Sequence, residues 1–180
     1  MPNSLMDMSH DFYLIKQKFW KLGGGDIYDQ KGNTIGKMTR KLLSLRKEIS
    51  ISESNGSQVL KVTRKIASVR HSYDIKDSQD NLLGRTQKKI LSLLRPQMWM
   101  EDTNGDKILI AKGSFAGWDF DVRDIQDRKI AEVSKTNRWK DLVLGGALPD
   151  TYALHILNPT YDRKVLLGFV IAVDNSVHDK

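Results

Sequence analysis

The chain has 180 residues, enough for one domain with a sizeable buried core. Lysine and arginine outnumber aspartate and glutamate by 29 to 22, a net charge of +7 that suits an anionic partner and also plain solubility. There is no cysteine, which excludes disulfides and thiolate metal sites and agrees with a reducing, cytoplasmic setting.

Met1 to Asp11 carries neither a basic n-region nor an apolar h-region, so no secretory signal is read there. Residues 1–11 are expected to form a loosely ordered tail. From Phe12 the chain reads as strands. Tyr13, Ile15, Gln17 and Phe19 alternate with Leu14, Lys16, Lys18 and Trp20, a period near two with aromatic and β-branched content. Gly23-Gly24-Gly25 interrupts the run. It lacks the spacing and the Lys-Ser/Thr ending of a phosphate loop, and reads as a bulged strand junction. Turn signals then recur at Lys31-Gly32-Asn33, Ser54-Asn55-Gly56, Gln79-Asp80-Asn81, Asn104-Gly105-Asp106 and Gln126-Asp127-Arg128. Such residues supply the positive-φ positions of tight hairpins. No apolar stripe of helical period runs over three turns before Asp162.

An internal repeat sharpens the all-β reading. Lys41-Leu42-Leu43-Ser44-Leu45-Arg46 aligns with Lys65-Ile66-Ala67-Ser68-Val69-Arg70 and then with Lys89-Ile90-Leu91-Ser92-Leu93-Leu94, at offsets of 24. The preceding turns keep step at Gly32, Gly56 and Asp80. Weaker copies follow around Ile108–Val122 and Ile130–Trp139. Each unit has room for about two strands. Propeller blades require more residues, and a parallel solenoid has no use for hairpin turns. What remains is an antiparallel meander, whose edges are best removed by closure into a barrel.

Val165 to Val173 is the most apolar stretch of the chain, bracketed by Asp162-Arg163-Lys164 and Asp174. Nine residues span only about 14 Å as a helix, too short for a bilayer core of about 30 Å. Asn158-Pro159-Thr160 breaks the chain before it and offers Thr160 as N-cap; Asn175 is placed to close the far end. A barrel of about twelve strands is too wide for its own side chains to fill. The predicted fold class is therefore mainly β: a closed antiparallel barrel of hairpin repeats enclosing one apolar C-terminal helix at about 161–174. Gly168 in the middle of that helix implies that a strand side chain packs close over it.

The hairpin from Tyr73-Asp74-Ile75-Lys76-Asp77 to Leu82-Leu83-Gly84-Arg85 resembles those of the LURP-one-related family. So do Asp150-Thr151-Tyr152-Ala153-Leu154-His155-Ile156, Tyr161-Asp162-Arg163-Lys164 and the stretch from Val165 to Asp174. The resemblance covers about residues 12–175 as a single domain. It implies the barrel-around-helix fold that the family shares with the tubby C-terminal domain and the phospholipid scramblases. It carries no established biochemical activity. The tubby-like proteins imply binding of phosphoinositide head groups, and the scramblases imply calcium-linked lipid translocation, both as analogies of fold.

Catalytic signals are thin, and no enzymatic activity or cofactor is expected. No two of His10, His71, His155 and His178 share metal-ligand spacing, and there is no Gly-x-Ser-x-Gly. His155 is read as a packed or hydrogen-bonded strand residue. Asp119, Asp121, Asp124 and Asp127 form the densest acidic run, but it lacks the glycine and the glutamate of a calcium loop and reads as solvated strand and turn.

The cations follow the repeat. Lys37 and Lys41, Lys61 and Lys65, and Arg85 and Lys89 are pairs four apart, so each pair marks one face of its strand. With outgoing and returning strands alternating, these three strands are second neighbours and the six cations form a ladder on the outer wall, accompanied by arginines at 40, 46, 64 and 70. The ladder reads either as a solvated barrel exterior, where lysine also discourages edge pairing, or as a face for peripheral binding of anionic lipid or phosphoinositide-like head groups by a cytoplasmic protein at the membrane surface. The alternative is a scaffold whose wall meets an acidic protein. Nucleic acid is disfavoured, because no row of aromatics is interleaved with the cations. Exposure of Trp99, Trp118 and Trp139 discriminates, since stacking platforms must be open to solvent.

Overall fold

The structure, a computed structural model, describes residues 4–18, 24–41, 47–65, 72–89, 97–115, 117–135 and 151–178. Among them are twelve strands and one helix: β1 (Phe12–Lys18), β2 (Gly24–Tyr28), β3 (Thr34–Lys41), β4 (Glu48–Glu53), β5 (Gln58–Arg64), β6 (Tyr73–Asp77), β7 (Leu82–Lys88), β8 (Met98–Glu101), β9 (Lys107–Ser114), β10 (Asp119–Arg123), β11 (Lys129–Lys135), β12 (Thr151–Ile156) and α1 (Arg163–His178). The repeated apolar segments at 42–46, 66–70 and 90–94, together with Trp139 and the arginines at 46 and 70, lie outside the described residues.

Every strand pairs antiparallel with the next, and β1 closes the ring against β12 through Phe12↔His155 to Lys16↔Thr151. The closed meander predicted from the repeat is the observed topology. Strand alternation turns one side chain in two inward, as in β5 with Leu60 and Val62 and in β8 with Met98 and Met100. Those side chains meet α1, whose residues 166 to 176 are all buried. Gly24 and Gly25 begin β2 rather than form a loop, paired to Lys18 and Gln17 of β1.

The helix packs chiefly on β5, β6 and β7. At Gly168 a Cβ atom would lie 2.5 Å from Ile75 Cγ2 of β6, closer than any side chain tolerates. The glycine thus gives up helix propensity of about 1 kcal/mol so that the helix can sit against the wall. Its boundaries differ from those predicted. The N-cap is Asp162, not Thr160: Asp162 Oδ1 accepts from the N–H of Lys164 at 2.7 Å and of Val165 at 3.3 Å. Thr160 Oγ1 is turned to Asn158 instead, at 2.8 Å. At the other end Asn175 does not close the helix, which runs on to His178; its Nδ2 bonds back to Ile171 O at 2.7 Å.

One hairpin geometry recurs five times, at 29–33, 53–57, 77–81, 102–106 and 124–128. In the first, Asp29 N–H donates to Asn33 O at 3.0 Å and Gly32 N–H to Asp29 O at 3.1 Å. This is the three-residue loop that requires a left-handed residue before the returning strand. The five left-handed positions are Gly32, Gly56, Asp80, Gly105 and Asp127, with φ of 83°, 90°, 64°, 90° and 63°. In four of the five the loop opens with an aspartate whose Oδ1 accepts two backbone N–H groups of its own turn. At Asp77 these come from Gln79 and Asn81, both at 2.9 Å.

The side-chain amide of Asn81 holds the carboxyl of Asp77 below the usual carboxylate range, with its own turn N–H groups assisting. Burial opposes ionisation of Asp29 and Asp124, but hydrogen bonds from Asn33 and from Arg128 outweigh it and lower both.

Three expectations follow. Because Ile75 occupies the space a side chain would take, Gly168→Ala should lower the melting temperature despite alanine's better propensity, and Ile75→Ala in the same chain should recover part of the loss. Phe169→Ala, emptying a fully buried site, should cost roughly 3–5 kcal/mol in denaturant unfolding. The turn carboxylates act in the other direction on pH. Each has a folded pKa below its unfolded one, so the stability it contributes is complete above about pH 4 and disappears as pH falls further. Asp77→Asn keeps an acceptor but cannot titrate. The stability gap between parent and variant should shrink as melting is measured from pH 6 down to pH 3.

Candidate functional site

The barrel has two unlike ends. The five hairpins, the β12–α1 connection and the helix N-terminus share one end; the helix runs through the barrel to the other. On the way out α1 presents buried Asp174, Asn175 and Ser176, and the last turn's polar groups are met from the strands. Trp118 Nε1 donates to Asp174 Oδ1 at 2.8 Å, Arg40 Nη2 donates to Asn175 Oδ1, and Lys88 Nζ reaches Ser176 O at 3.3 Å. Cations at a helix C-terminus also complement its dipole. Trp118 stacks on Tyr152 with ring centroids 5.5 Å apart, and Lys135 Nζ lies 5.5 Å over the Trp118 ring. Trp118 is therefore a core residue. Trp99 is half-buried on the outer wall, its Nε1 bonded to Glu101 at 2.7 Å and its ring covered by Lys107 at 4.6 Å. Neither is an open stacking platform; Trp139 lies outside the described residues.

The six predicted cations sit on β3, β5 and β7 or at their ends, and in the ring these strands do alternate with β4 and β6. Their spacing is not the level ladder expected. One row across the wall reads Lys41, Glu48, Thr63, Asp74 and Arg85, whereas Lys61 shares its row with Ser50 and Thr39 and lies directly opposite Lys76. Lys37 pairs with Ser52. Closure of a barrel requires such a stagger of register, which equal sequence spacing cannot display.

The wall also carries carboxylates that the cation pattern ignored. Lys41 pairs with Glu48 at 2.7 Å, Lys61 with Asp80 at 3.0 Å and Arg85 with Asp74 at 2.6 Å. Lys37, Lys65 and Lys89 are exposed and make no ion pair among the described residues. The set divides into three cations held in ion pairs and three without one, of which Lys37 stands opposite Asp26 of β2.

The acidic run holds no metal geometry. Among the described residues no three His, Asp or Glu side chains converge as ligands would. Asp119 and Asp121 face outward together, as alternation predicts. Asp121 pairs with Arg123 and Lys129, both at 2.9 Å, and Asp124 with Arg128 at 2.6 Å. Asp127 pairs with Lys112 at 2.6 Å. His155 is on the outer face of β12, its Nδ1 3.5 Å from Glu132 Oε1 and its ring tilted against Phe12.

The helix start contains a group that sequence reasoning passed over. Arg163, only 2% exposed, donates to three main-chain oxygens: Tyr161 O at 2.6 Å, Met8 O at 2.7 Å and His10 O at 2.9 Å. Residues 4–10, expected to be loose, are thereby tied to the barrel end, and Leu5 is fully buried. The one available signal was the strongly charged tripeptide before an apolar run. A cleft of about 340 Å³ lies between this segment and the helix start, lined by Met6, Met8, Thr160, Asp162, Arg163 and Lys164.

Comparison with known proteins agrees with this architecture. An X-ray structure of an Arabidopsis thaliana protein is similar to the chain with a TM-score of 0.63 at 13% identity, over 97% of this chain and 98% of that one. At that identity the likeness shows the fold alone. No curated protein sequence matches. A family model described as LURP-one-related matches residues 12–174, from the first strand to the buried Asp174, and the chain therefore belongs to the LURP-one-related family.

Proposed function

We propose that this chain is a non-enzymatic binding module that meets an anionic surface, such as phosphorylated or acidic lipid head groups, peripherally through Lys37, Lys41, Lys61, Lys65, Arg85 and Lys89. The observation that carries the reading is that Lys37, Lys65 and Lys89, on or just past strands that alternate round the wall, are exposed and make no ion pair among the described residues; the strands are second neighbours about 10 Å apart, with Lys37 nearer the hairpin end than the other two. Lys76, opposite Lys61, adds to the same region. Each cation near a charged membrane surface contributes about 1 kcal/mol. No helix among the described residues is long and apolar enough to cross a membrane. The tubby-like and scramblase-like analogies of fold support lipid as the ligand class, and the absence of cysteine supports a cytoplasmic setting. A scaffold role, with an acidic protein on the same wall, is the alternative.

The structure changes which residues to alter. Reversing Lys41 would set glutamate against Glu48, so Lys37, Lys65 and Lys89 are the informative choice. Lys37→Glu, Lys65→Glu and Lys89→Glu together lower the net charge from +7 to +1, since each reversal removes two units. The melting temperature should hold, because exposed substitutions away from special contacts fall within about 0.5 kcal/mol. Parent protein should pellet with phosphoinositide-containing vesicles at low salt and release as salt rises, and it should ignore neutral vesicles. The triple variant should stay in the supernatant. Equal pelleting of both, or none by the parent, would overturn the lipid reading.

A further inference from the structure

We propose that the hairpin end of the barrel carries a peptide-binding site keyed to a leucine, now filled by the chain's own residues 4–10, and that a leucine-anchored segment of a partner protein binds there by displacing them. The site has one apolar socket and a set of clamps aimed at main-chain atoms. The socket holds Leu5, which is fully buried although it lies seven residues before β1. Its floor is Gly36 of β3: a Cβ there would come within 2.8 and 3.0 Å of the two Leu5 methyl carbons. The clamps are Glu53, Tyr13 and Arg163. Glu53 Oε2 accepts the Leu5 N–H at 2.7 Å, and Tyr13 donates its hydroxyl to Leu5 O at 2.9 Å. Arg163 donates to Met8 O and His10 O. These groups read backbone and one side chain, so any segment offering leucine in this frame satisfies them.

An independent observation ties Glu53 to this site. In the four other hairpins of the repeat the same position is Asp29, Asp77, Asp102 or Asp124, and each carboxylate is spent on the amides of its own turn. At position 53 the side chain is one carbon longer and leaves the turn. Asn55 Oδ1 takes the Ser57 N–H in its place, at 2.8 Å, and Glu53 turns to Ser4 Oγ at 2.8 Å and to Leu5 N. The repeat is thus broken at the hairpin whose opening carboxylate bonds the segment. The occupant is also removable. Ser4, Asp7, Met8 and Ser9 are exposed, and no strand pairing of the barrel involves residues 4–10.

The test uses the full chain with Leu5→Ala, which empties the socket without burying a charge, and a fluorescent peptide of the sequence of residues 4–11 as probe. Cooperative melting confirms that the variant is folded. A tethered occupant acts at an effective concentration in the millimolar range, so the parent should bind the probe at least about tenfold more weakly than Leu5→Ala. Adding Gly36→Ala to the Leu5→Ala chain raises the socket floor by one methyl and should abolish the gain, and a probe with its leucine changed to aspartate should not bind. If Leu5→Ala fails to melt cooperatively, Ser4→Ala in the full chain provides the second variant: it removes the tethered segment's own bond to Glu53 and leaves the site intact, so binding of the unaltered probe should rise above the parent's. No saturable binding to a folded variant, or binding indifferent to the leucine or to Gly36, overturns the proposal. The vesicle assay concerns other residues and is unaffected by this outcome.

Discussion

The structure depends on one mutual constraint: an apolar helix with no polar face needs enclosure, and a twelve-strand ring needs something to enclose. Strands of this number leave more interior than their inward side chains fill, and a helix of about 10 Å diameter closes the gap. The fit is tight enough to fix composition at single positions. Gly168 exists because Ile75 stands where its side chain would be, and the polar last turn is tolerated because Trp118, Arg40 and Lys88 meet it. An unpaired Asp174 in that interior would be costly, since burying a charge without a partner is among the largest penalties a fold can carry.

The repeat made most of the fold legible. A left-handed residue is required at one point of each hairpin loop, and the sequence meets it with glycine three times and with aspartate twice, so Gly32, Gly56 and Asp80 mark the period directly. Period-two alternation then gave the inward residues, and the single apolar segment gave the core. What escaped was whatever depends on position across strands. The stagger that sets Lys41 beside Glu48 and Lys61 beside Lys76 comes from closure, and no spacing along the chain encodes it. The N-cap moved from Thr160 to Asp162 because Asn158 captures the threonine hydroxyl, a local competition that the residue types alone do not decide. The anchoring of residues 4–10 was hidden for a further reason. Its partners, Glu53 and Arg163, are 48 and about 155 residues away in sequence.

Charge is distributed with a structural logic that bears on function. At the hairpin end the aspartates are mostly consumed, by turn amides at Asp29, Asp77, Asp102 and Asp124 and by ion pairs at Asp80 and Asp127. An acid that fixes a hairpin is a poor candidate for a cation ligand, which explains why a run as dense as 119–127 assembles no metal site among the described residues. The excess of lysine and arginine is not consumed in the same way. Among the described residues part of it is matched across strands, while Lys37, Lys65 and Lys89 stand exposed without an ion pair.

The filled interior decides where any ligand can bind. Barrels that carry small molecules do so because their cavity is left open at the centre; here that volume belongs to α1, whose residues 166 to 176 are buried throughout. Ligands are therefore confined to the outer wall and the two ends. The wall offers exposed charge, and any binding that rests on it is expected to weaken as salt rises. The hairpin end offers a socket with directional hydrogen bonds, which suits a peptide and depends little on salt. The two proposed surfaces draw on different residues, the cations of β3, β5 and β7 on one side and Glu53, Tyr13 and Arg163 on the other, so that each is open to substitution without altering the other's side chains.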